Sequence, residues 1–158
     1  MKLYHGSNLK VEVPEILDSK RALDFGKGFY LTTDLEQAKR WAMVVTKRRE
    51  QGIPTVSVFD YDIENHLNIL KFDGPNIEWL RFISNNRKMI EADKDYDIIV
   101  GPVANDNTMP VINMYLIGLY DENEALKRLL PQNLKDQVVF KTQKSLSYLK
   151  FLEEMKYE

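Results

Sequence analysis

The stretch Leu23–Trp41, LDFGKGFYLTTDLEQAKRW, joins two glycines and a tyrosine to an abrupt change into a helical pattern. Phe29 to Thr32 has the aromatic and β-branched residues that are typical of a strand, with glycines just before it. The next two residues, Thr33 and Asp34, can cap a helix in which apolar residues recur at spacings of three and four, as far as about Glu50. The stretch therefore predicts a turn, a short strand and an amphipathic helix in succession.

Outside this stretch, the sequence predicts short strands and helices separated by turns. We expect a loop or an edge segment at Val11–Ser19, because Pro14 interrupts any helix there, a turn at His5–Ser7, and a strand end at Gly101–Pro102. We expect strands at Lys2–Tyr4, Val56–Tyr61, His66–Phe72, Tyr96–Val100 and Gln137–Lys141. We expect helices at Ile77–Asn85, Val111–Leu119, Glu122–Leu130 and Ser145–Met155. Because strands and helices do not alternate regularly, the order predicts an α+β domain and not a doubly wound sheet.

Length and composition limit the classes of protein that this chain can belong to. The 158 residues, 44% of them hydrophobic, suit a single domain over residues 1–158. The 22 basic and 24 acidic residues give a net charge of -2, so nucleic-acid binding would need a local basic patch. Without cysteine, disulfides and thiol catalysis are excluded. We expect no membrane span and a cytoplasmic location, because no apolar signal segment or run of roughly 18 apolar residues is present. Export by a route that uses no N-terminal signal is compatible with the same features.

Few residues are obvious candidates for chemistry. His5 and His66 are the two histidines, and because a catalytic zinc site needs about three protein ligands, we expect no metal. Gly26 and Gly28 lack the spacing of a phosphate-binding loop and precede a strand, where a dinucleotide fingerprint would follow one. They can let the backbone approach a flat ligand while Tyr30 offers an aromatic face, or they can simply form a tight turn beside a core tyrosine.

The combination of these residues resembles the NAD-binding core of ADP-ribosyltransferases of the poly(ADP-ribose) polymerase and diphtheria-toxin type. The resemblance rests on His5-Gly6-Ser7, on Gly26–Leu31 and on Trp41, which lies 11 positions after Tyr30. Over almost the whole chain, the sequence also resembles a bacterial domain of unknown function with the character of toxin-like ADP-ribosyltransferases. The shared stretches are LYHGS, DFGKGFYLT, WLRF, GPVANDN, ALKRLLPQ and QVVFKTQKSLSYLKF.

The resemblance implies a split core of two small, mostly antiparallel sheets with flanking helices, and NAD in the cleft. His5 would hydrogen-bond a ribose hydroxyl, the Gly6 backbone would hold the nicotinamide carboxamide, and Tyr30 and Trp41 would sandwich the nicotinamide ring. We expect the NAD-binding residues to be His5, Gly6, Ser7, Arg21, Gly28, Tyr30, Trp41 and Asp106. Among these, Arg21 is a candidate for a pyrophosphate contact. Asp106, in the polar run Asn105–Thr108, would touch ribose or orient an acceptor unless the run is simply a turn.

Two positions depart from the family pattern. Ala38 stands where polymerase-type enzymes place a serine, with Thr32 as a possible replacement. Gln137 stands where the His-Tyr-Glu set has its glutamate, and an amide cannot act as a general base. Either Gln137 suffices, or Asp136 contributes from the next position, or NAD binds without turnover. Since consecutive strand residues point to opposite faces, we choose Gln137.

The resemblance leads us to expect NAD-dependent ADP-ribosyl transfer to a macromolecular acceptor, protein or nucleic acid, with His5, Tyr30 and Gln137 as the catalytic set. Nicotinamide would be released, and a neutralising antitoxin partner would accompany a toxin-like enzyme. The alternative is a catalytically silent module that binds NAD, another nucleotide or a partner on the same fold. RNA 2'-phosphotransferase chemistry is a third option, but the acidic charge balance does not favour it. The basic run Lys47–Arg49 is either a solvated helix face or a contact patch for a macromolecule.

Overall fold

The computed structural model of the chain describes residues 1–16, 24–62, 66–88 and 95–158. In chain order, the strands are β1 (Lys2–Ser7), β2 (Phe29–Leu31), β3 (Thr55–Tyr61), β4 (Ile69–Lys71), β5 (Ile98–Pro102), β6 (Asp136–Phe140) and β7 (Leu149–Lys156). The helices are α1 (Leu35–Arg49), α2 (Ile77–Arg87), α3 (Met109–Leu116), α4 (Glu122–Leu129) and α5 (Gln143–Leu146). The predicted α+β class is confirmed in the described residues.

The strands form two sheets. Sheet A has the order β1-β3-β7 and is antiparallel throughout. Sheet B has the order β2-β6-β5-β4, in which β4 and β5 run parallel and the other pairs are antiparallel. This arrangement confirms the prediction of two small, mostly antiparallel sheets.

Three hydrophobic clusters hold the layers together. Helix α1 packs on the outer face of sheet A through Ala38 and Ala42, which are fully buried against Val56 and Val58. The second cluster lies between the two sheets, and the third joins the outer face of sheet B to helices α2, α3 and α4. Each sheet is therefore covered by the other sheet on one face and by helices on the opposite face.

Helix α1 begins and ends as its sequence predicts. Asp34 is the N-cap, and its carboxylate accepts a hydrogen bond of 2.8 Å from the backbone N–H of Gln37. This bond is the main reason why the pKa of Asp34 is lowered. The last helical residue is Arg49, and Glu50 closes the helix in the left-handed region with φ of 52°. The strong local signals of cap and periodicity therefore place this helix correctly.

The predicted closing helix at Ser145–Met155 is wrong. Thr142 and Ser145 form a capping box that starts the four-residue helix α5, and the chain then becomes strand β7. β7 pairs with β3 along its length, with an irregularity next to Val58. Pairing to the central strand of sheet A outweighs the local helical spacing, which is a tertiary effect.

Several smaller predictions also need correction. His5–Ser7 is not a turn, because all three residues continue β1 and pair with β3. Gly101 and Pro102 do not end β5 but belong to it, and a Cβ on Gly101 would lie only 3.0 Å from the ring of Phe25. Other predicted elements have shifted bounds. The largest shifts are that β4 is shorter than His66–Phe72, that α3 is Met109–Leu116 and not Val111–Leu119, and that β5 starts two residues later than Tyr96.

In the ranges that the structure describes, none of the helices combines the length and the apolar character that a membrane crossing requires.

Candidate functional site

The candidate site lies where the two sheets separate. Tyr4 of β1 and Thr32, just after β2, exchange two backbone hydrogen bonds of 2.9 Å each. Among the described residues, this pair is the one place where backbone hydrogen bonds join β1 to the end of β2. Backbone groups alternate in direction along a strand, so the N–H and C=O of Gly6 point to the same side as those of Tyr4. Gly6 therefore presents one donor and one acceptor to the gap beyond the bridge.

His5 spans the start of this gap. Its Nδ1–H donates a hydrogen bond of 2.7 Å to the backbone oxygen of Tyr30, and its ring stacks on Phe29 with centroids 4.2 Å apart. Burial lowers the pKa of His5 to about 4; the bond to Tyr30 opposes this shift and the charge of Arg49 adds to it. His5 is therefore neutral at pH 7. Because Nδ1 carries the proton, Nε2 can accept a hydrogen bond from a ligand hydroxyl.

Gly6 allows helix α1 to sit directly on β1. A Cβ at this position would lie 2.0 Å from the backbone oxygen of Ala38 and 2.8 Å from the nitrogen of Ala42. Trp41 lies between these two alanines in sequence and is half-buried. Within the described residues, the Trp41 side chain has no contact with another aromatic ring and no hydrogen bond. Trp41 is thus held on α1 between the two residues whose backbone approaches Gly6, and no described ring stacks on it.

Ala38 is fully buried and has no hydroxyl to hold a carboxamide. Thr32, its expected replacement, is also fully buried, and its hydroxyl donates to Asp136 and accepts from the N–H of Asp34. The Thr32 hydroxyl therefore serves the joint between β2 and α1.

Tyr30 and the two glycines form a compact turn and strand. The Tyr30 hydroxyl donates a bond of 2.6 Å to the oxygen of Gly26 and accepts one of 3.1 Å from the N–H of Phe25. Gly26 has φ of 77°, which a residue with a side chain rarely adopts. A Cβ on Gly28 would lie 2.6 Å from Val139, so the structure gives Gly28 a packing role between β2 and β6. The turn therefore fixes the Tyr30 ring from its hydroxyl end.

Gln137 lies on the same face of sheet B as Tyr30. Tyr30 pairs with Val139, and Gln137 is two residues earlier on β6, so the three side chains project to one side. Gln137 is only 3% exposed, and its Nε2–H donates 3.3 Å to the oxygen of Pro102. Trp79 donates to the same oxygen. The amide is therefore buried and not presented at the surface.

Asp136 points to the opposite face of β6, as predicted. Its carboxylate accepts three hydrogen bonds of 2.7 to 3.0 Å, from the Thr32 hydroxyl, the Thr33 N–H and the Thr33 hydroxyl. It ties the end of β2 and the start of α1 to β6. Gln137 carries no charge, and the Asp136 carboxylate is already hydrogen-bonded. Neither residue therefore supplies a free carboxylate near the gap.

Ser7 does not reach the gap either. It is 6% exposed, and its hydroxyl donates 3.3 Å to the side chain of Asn8, which also binds Arg49 at the end of α1. Ser7 therefore belongs to the joint between β1 and α1. Arg21, the predicted pyrophosphate ligand, lies outside the described residues.

A polar cavity of about 430 Å³ lies between helix α1 and the loop after β5 that contains Asp106. Its lining brings together two side chains of α1, the loop after β5 and the residues just before β6, namely Gln37, Arg40, Val103, Asn105, Asp106, Asn107, Asn133 and Lys135. Gln37 is one helical turn from Trp41, so the cavity and the aromatic face lie along one helix. Asp106 therefore lines a polar cavity that borders helix α1, and its role in ligand binding stays a prediction.

A larger cavity of about 580 Å³ contains none of the predicted site residues. Its floor is the inner face of β4, β5 and β6, including Ile69, Val100 and Val138, on the side of β6 opposite to Gln137. Asp136 lines it, but that carboxylate is already engaged with Thr32 and Thr33. We therefore place the candidate site at the gap, where the Gly6 backbone groups have no recorded partner among the described residues and the adjoining helix carries Trp41.

The sequence did not indicate four polar residues of this cavity, Gln37, Arg40, Asn133 and Lys135. The spacing of Gln37 four residues before Trp41 could have indicated the first of them. Asn133 and Lys135 carry no local signal, because only the approach of β6 to α1 brings them to the site.

Comparison with known proteins gives a family but no activity. No match to the chain was found among curated proteins. A family model described as a protein of unknown function, DUF3990, matches residues 1–151. This match covers nearly the entire chain, and the protein therefore belongs to the DUF3990 family.

Proposed function

We propose that this protein binds NAD at the gap between the sheets and transfers its ADP-ribosyl group to a macromolecular acceptor, with release of nicotinamide. The observation that carries the proposal is the backbone of Gly6, which offers a donor and an acceptor side by side. A primary amide such as the nicotinamide carboxamide has the complementary pair, an acceptor oxygen and an N–H donor. The fold class and the resemblance described above support the same ligand.

The surrounding side chains suit the nicotinamide end of NAD. Trp41 offers an aromatic face that no protein ring covers in the described residues, and an aromatic ring stacks well on a flat heterocycle. His5 is neutral, with Nε2 available to accept from a ribose hydroxyl. Tyr30 is held in place by the bonds at its hydroxyl, on the strand that borders the gap. Together these groups would bind and orient the leaving group and the ribose.

The proposed reaction is balanced without a further reagent. The bond between the ribose C1' and the nicotinamide nitrogen breaks, its electron pair leaves with nicotinamide, and a nucleophilic atom of the acceptor bonds to C1'. The acceptor loses one proton to solvent. Gln137 can stabilise only through its amide dipole, because it holds no negative charge and already donates to Pro102. We therefore expect turnover to be slow compared with enzymes that place a carboxylate at this position.

A second candidate function is NAD binding without turnover. The observation that favours it is the burial of Gln137 together with the three hydrogen bonds that engage Asp136. With this geometry, no carboxylate of the predicted set lies free beside the position where positive charge would develop on the ribose. The module would then recognise NAD or a related nucleotide and present it to a partner.

Nicotinamide release separates the two candidates. The purified protein is incubated with NAD alone and with cell lysate, and free nicotinamide is measured by chromatography. Transfer predicts release that depends on lysate and falls at least tenfold in Trp41→Ala, while Met43→Ala, an exposed position on the same helix, keeps the wild-type rate. NAD binding without any release would contradict transfer and support the binding module.

A further inference from the structure

Helix α1 differs sharply in charge from the rest of the molecule. It carries five basic residues and one acidic residue, Lys39, Arg40, Lys47, Arg48, Arg49 and Glu36, although the net charge of the chain is -2. Lys39 lies over the ring of Tyr157, and Arg49 donates to Asn8. Arg40, Lys47 and Arg48 are exposed, and the Arg40 guanidinium donates a hydrogen bond of 2.7 Å to the side-chain oxygen of Gln37. The helix that borders the candidate site is therefore the local basic patch that the overall charge does not provide.

Helical spacing brings part of this charge to the side of the site. Gln37, Trp41 and Arg48 are separated by four and seven residues, so they share one flank of α1, with Arg40 next to Gln37 at the cavity. We call these four residues the α1 flank. It joins an aromatic face to two guanidinium groups. A positively charged track with an aromatic platform is how proteins bind single-stranded nucleic acid.

The polar cavity at the end of the α1 flank carries groups that recognise base edges. In the ranges that the structure describes, the side chains of Asp106, Asn107 and Asn133 make no hydrogen bond. Asn105 uses its side-chain oxygen to accept from the backbone of Asn107 and Thr108, which orders the loop. Amide side chains form paired hydrogen bonds with adenine, and carboxylates accept from the amino group of cytosine.

We propose that the α1 flank and the polar cavity bind a single-stranded nucleic acid, and that this strand is the acceptor of the transferred ADP-ribose. The acceptor assignment rests on the proposed function, whereas binding of the strand does not. Arg40, Arg48 and Lys135 contact backbone phosphates, and Lys135 does so from its exposed ion pair of 3.2 Å with Asp34. The amides of Asn107 and Asn133 contact a base. That base lies along the same helix as Trp41, where NAD would present its nicotinamide end.

The step keeps the balance given above. A ring nitrogen or an exocyclic amino group of the base forms the new bond to the ribose C1'. Nicotinamide departs with the electron pair of the broken bond, and the proton of the base is released to solvent. NAD is the one other reactant, and no oxidant or reductant takes part.

The first test measures binding alone. Fluorescein-labelled 20-nucleotide single-stranded DNA and RNA of mixed sequence are titrated with the protein, without NAD, at several salt concentrations. We expect the affinity to fall with salt, and the double variant Arg40→Gln/Arg48→Gln to reduce the slope of log K against log salt by about 1.4, from about 0.7 per charge. Asn107→Ala/Asn133→Ala should weaken binding by roughly tenfold.

The matched control removes two arginines that lie elsewhere. Arg81 of α2 and Arg128 of α4 form exposed ion pairs with Glu122 and Glu124, so Arg81→Gln/Arg128→Gln changes the net charge equally. The proposal predicts that this control binds the oligonucleotide as the wild type does. Equal loss of affinity in both double variants, or no binding at low salt, would overturn the proposed surface.

The second test identifies the acceptor class. The protein is incubated with biotin-labelled NAD and either the same oligonucleotides or a nuclease-treated protein lysate. Label on the oligonucleotide that nuclease removes supports the proposal, and label confined to protein overturns the acceptor assignment. If neither is labelled and no nicotinamide is released, the proposed transfer fails together with the acceptor assignment, while the binding titration still decides the surface by itself.

Discussion

Replacing Gly6 with alanine tests the packing that creates the candidate site. The new methyl group would lie 2.0 Å from the backbone oxygen of Ala38 and 2.8 Å from the nitrogen of Ala42, where real Cβ contacts are not found below 3.0 Å. These obstacles are backbone atoms, so no side chain can rotate away. Helix α1 would have to move off sheet A by about 1 Å, against a layer in which Ala38 and Ala42 are fully buried.

The cost of this change can be estimated from overpacking in other proteins. Extra methyl groups in well-packed regions cost about 1–3 kcal/mol, and we expect at least about 3 kcal/mol because the obstacle is backbone. For a domain of this size, each kcal/mol lowers Tm by about 2–4 °C, so Gly6→Ala should lower Tm by roughly 6–12 °C. Urea unfolding should show the same loss of free energy.

Gly74→Ala is the matched control, because a Cβ at Gly74 would have nothing within 4 Å. We expect its free energy of unfolding to stay within about 0.5 kcal/mol of the wild type. If Gly6→Ala were also within about 1 kcal/mol of the wild type, α1 would not lie on β1 as described, and the geometry of the gap would be refuted.

Three further predictions concern ionisable groups at the site and in the rest of the fold. His5 is neutral in the folded state, with a pKa near 4 against an ordinary value of 6.5, so its stabilising effect is present above pH 6.5 and is lost as pH falls towards 4. A stability profile should therefore fall by up to about 3 kcal/mol over this range, and His5→Gln should flatten the fall. Asp136→Asn should lower the free energy of unfolding by about 1–2 kcal/mol, because the carboxylate that accepts three hydrogen bonds loses its charge and one of its two oxygens becomes an NH2 group. Asp106→Asn removes no hydrogen bond in the described ranges and should lower it by less than about 0.5 kcal/mol. Arg87→Gln should destabilise the protein by about 2–3 kcal/mol, because it removes the ion-pair partner of Asp24. The Asp24 carboxylate is mostly buried, and burial raises its pKa. Arg81→Gln breaks an exposed ion pair and should cost less than about 1 kcal/mol. Equal effects in either matched pair, or a pH profile that His5→Gln leaves unchanged, would contradict these assignments.

Elements with strong local signals could be predicted from the sequence. The cap at Asp34 and the regular spacing that follows fix α1 within one residue, and the apolar character of Val56–Tyr61 fixes β3. The C-terminal segment could not be predicted in the same way. Leu149–Lys156 becomes a strand because it pairs with the edge of β3 that β1 leaves open. This edge exists only once β1 and β3 have paired.

In the candidate site, too, some features could be predicted from the sequence and others depend on tertiary contacts. The resemblance to ADP-ribosyltransferases points to His5, Gly6 and Trp41, but the sequence pattern treats Gly6 as a turn residue. The structure shows that Gly6 is in a strand, where it permits the close approach of α1 and leaves its own backbone groups facing the gap. Lys135 and Asn133 could not be predicted, because they reach the cavity only through the pairing of β6 in sheet B.

Calorimetric titration of NAD into the wild-type protein and into Trp41→Ala tests the central claim most directly. Loss of an aromatic stack costs about 1–3 kcal/mol, so the account predicts that the wild type binds NAD and that Trp41→Ala binds roughly 5- to 150-fold more weakly. Met43→Ala, on the exposed face of the same helix, should keep the wild-type Kd. A wild type that does not bind NAD, or a Trp41→Ala variant with unchanged Kd, would contradict the assignment of the gap as the NAD site.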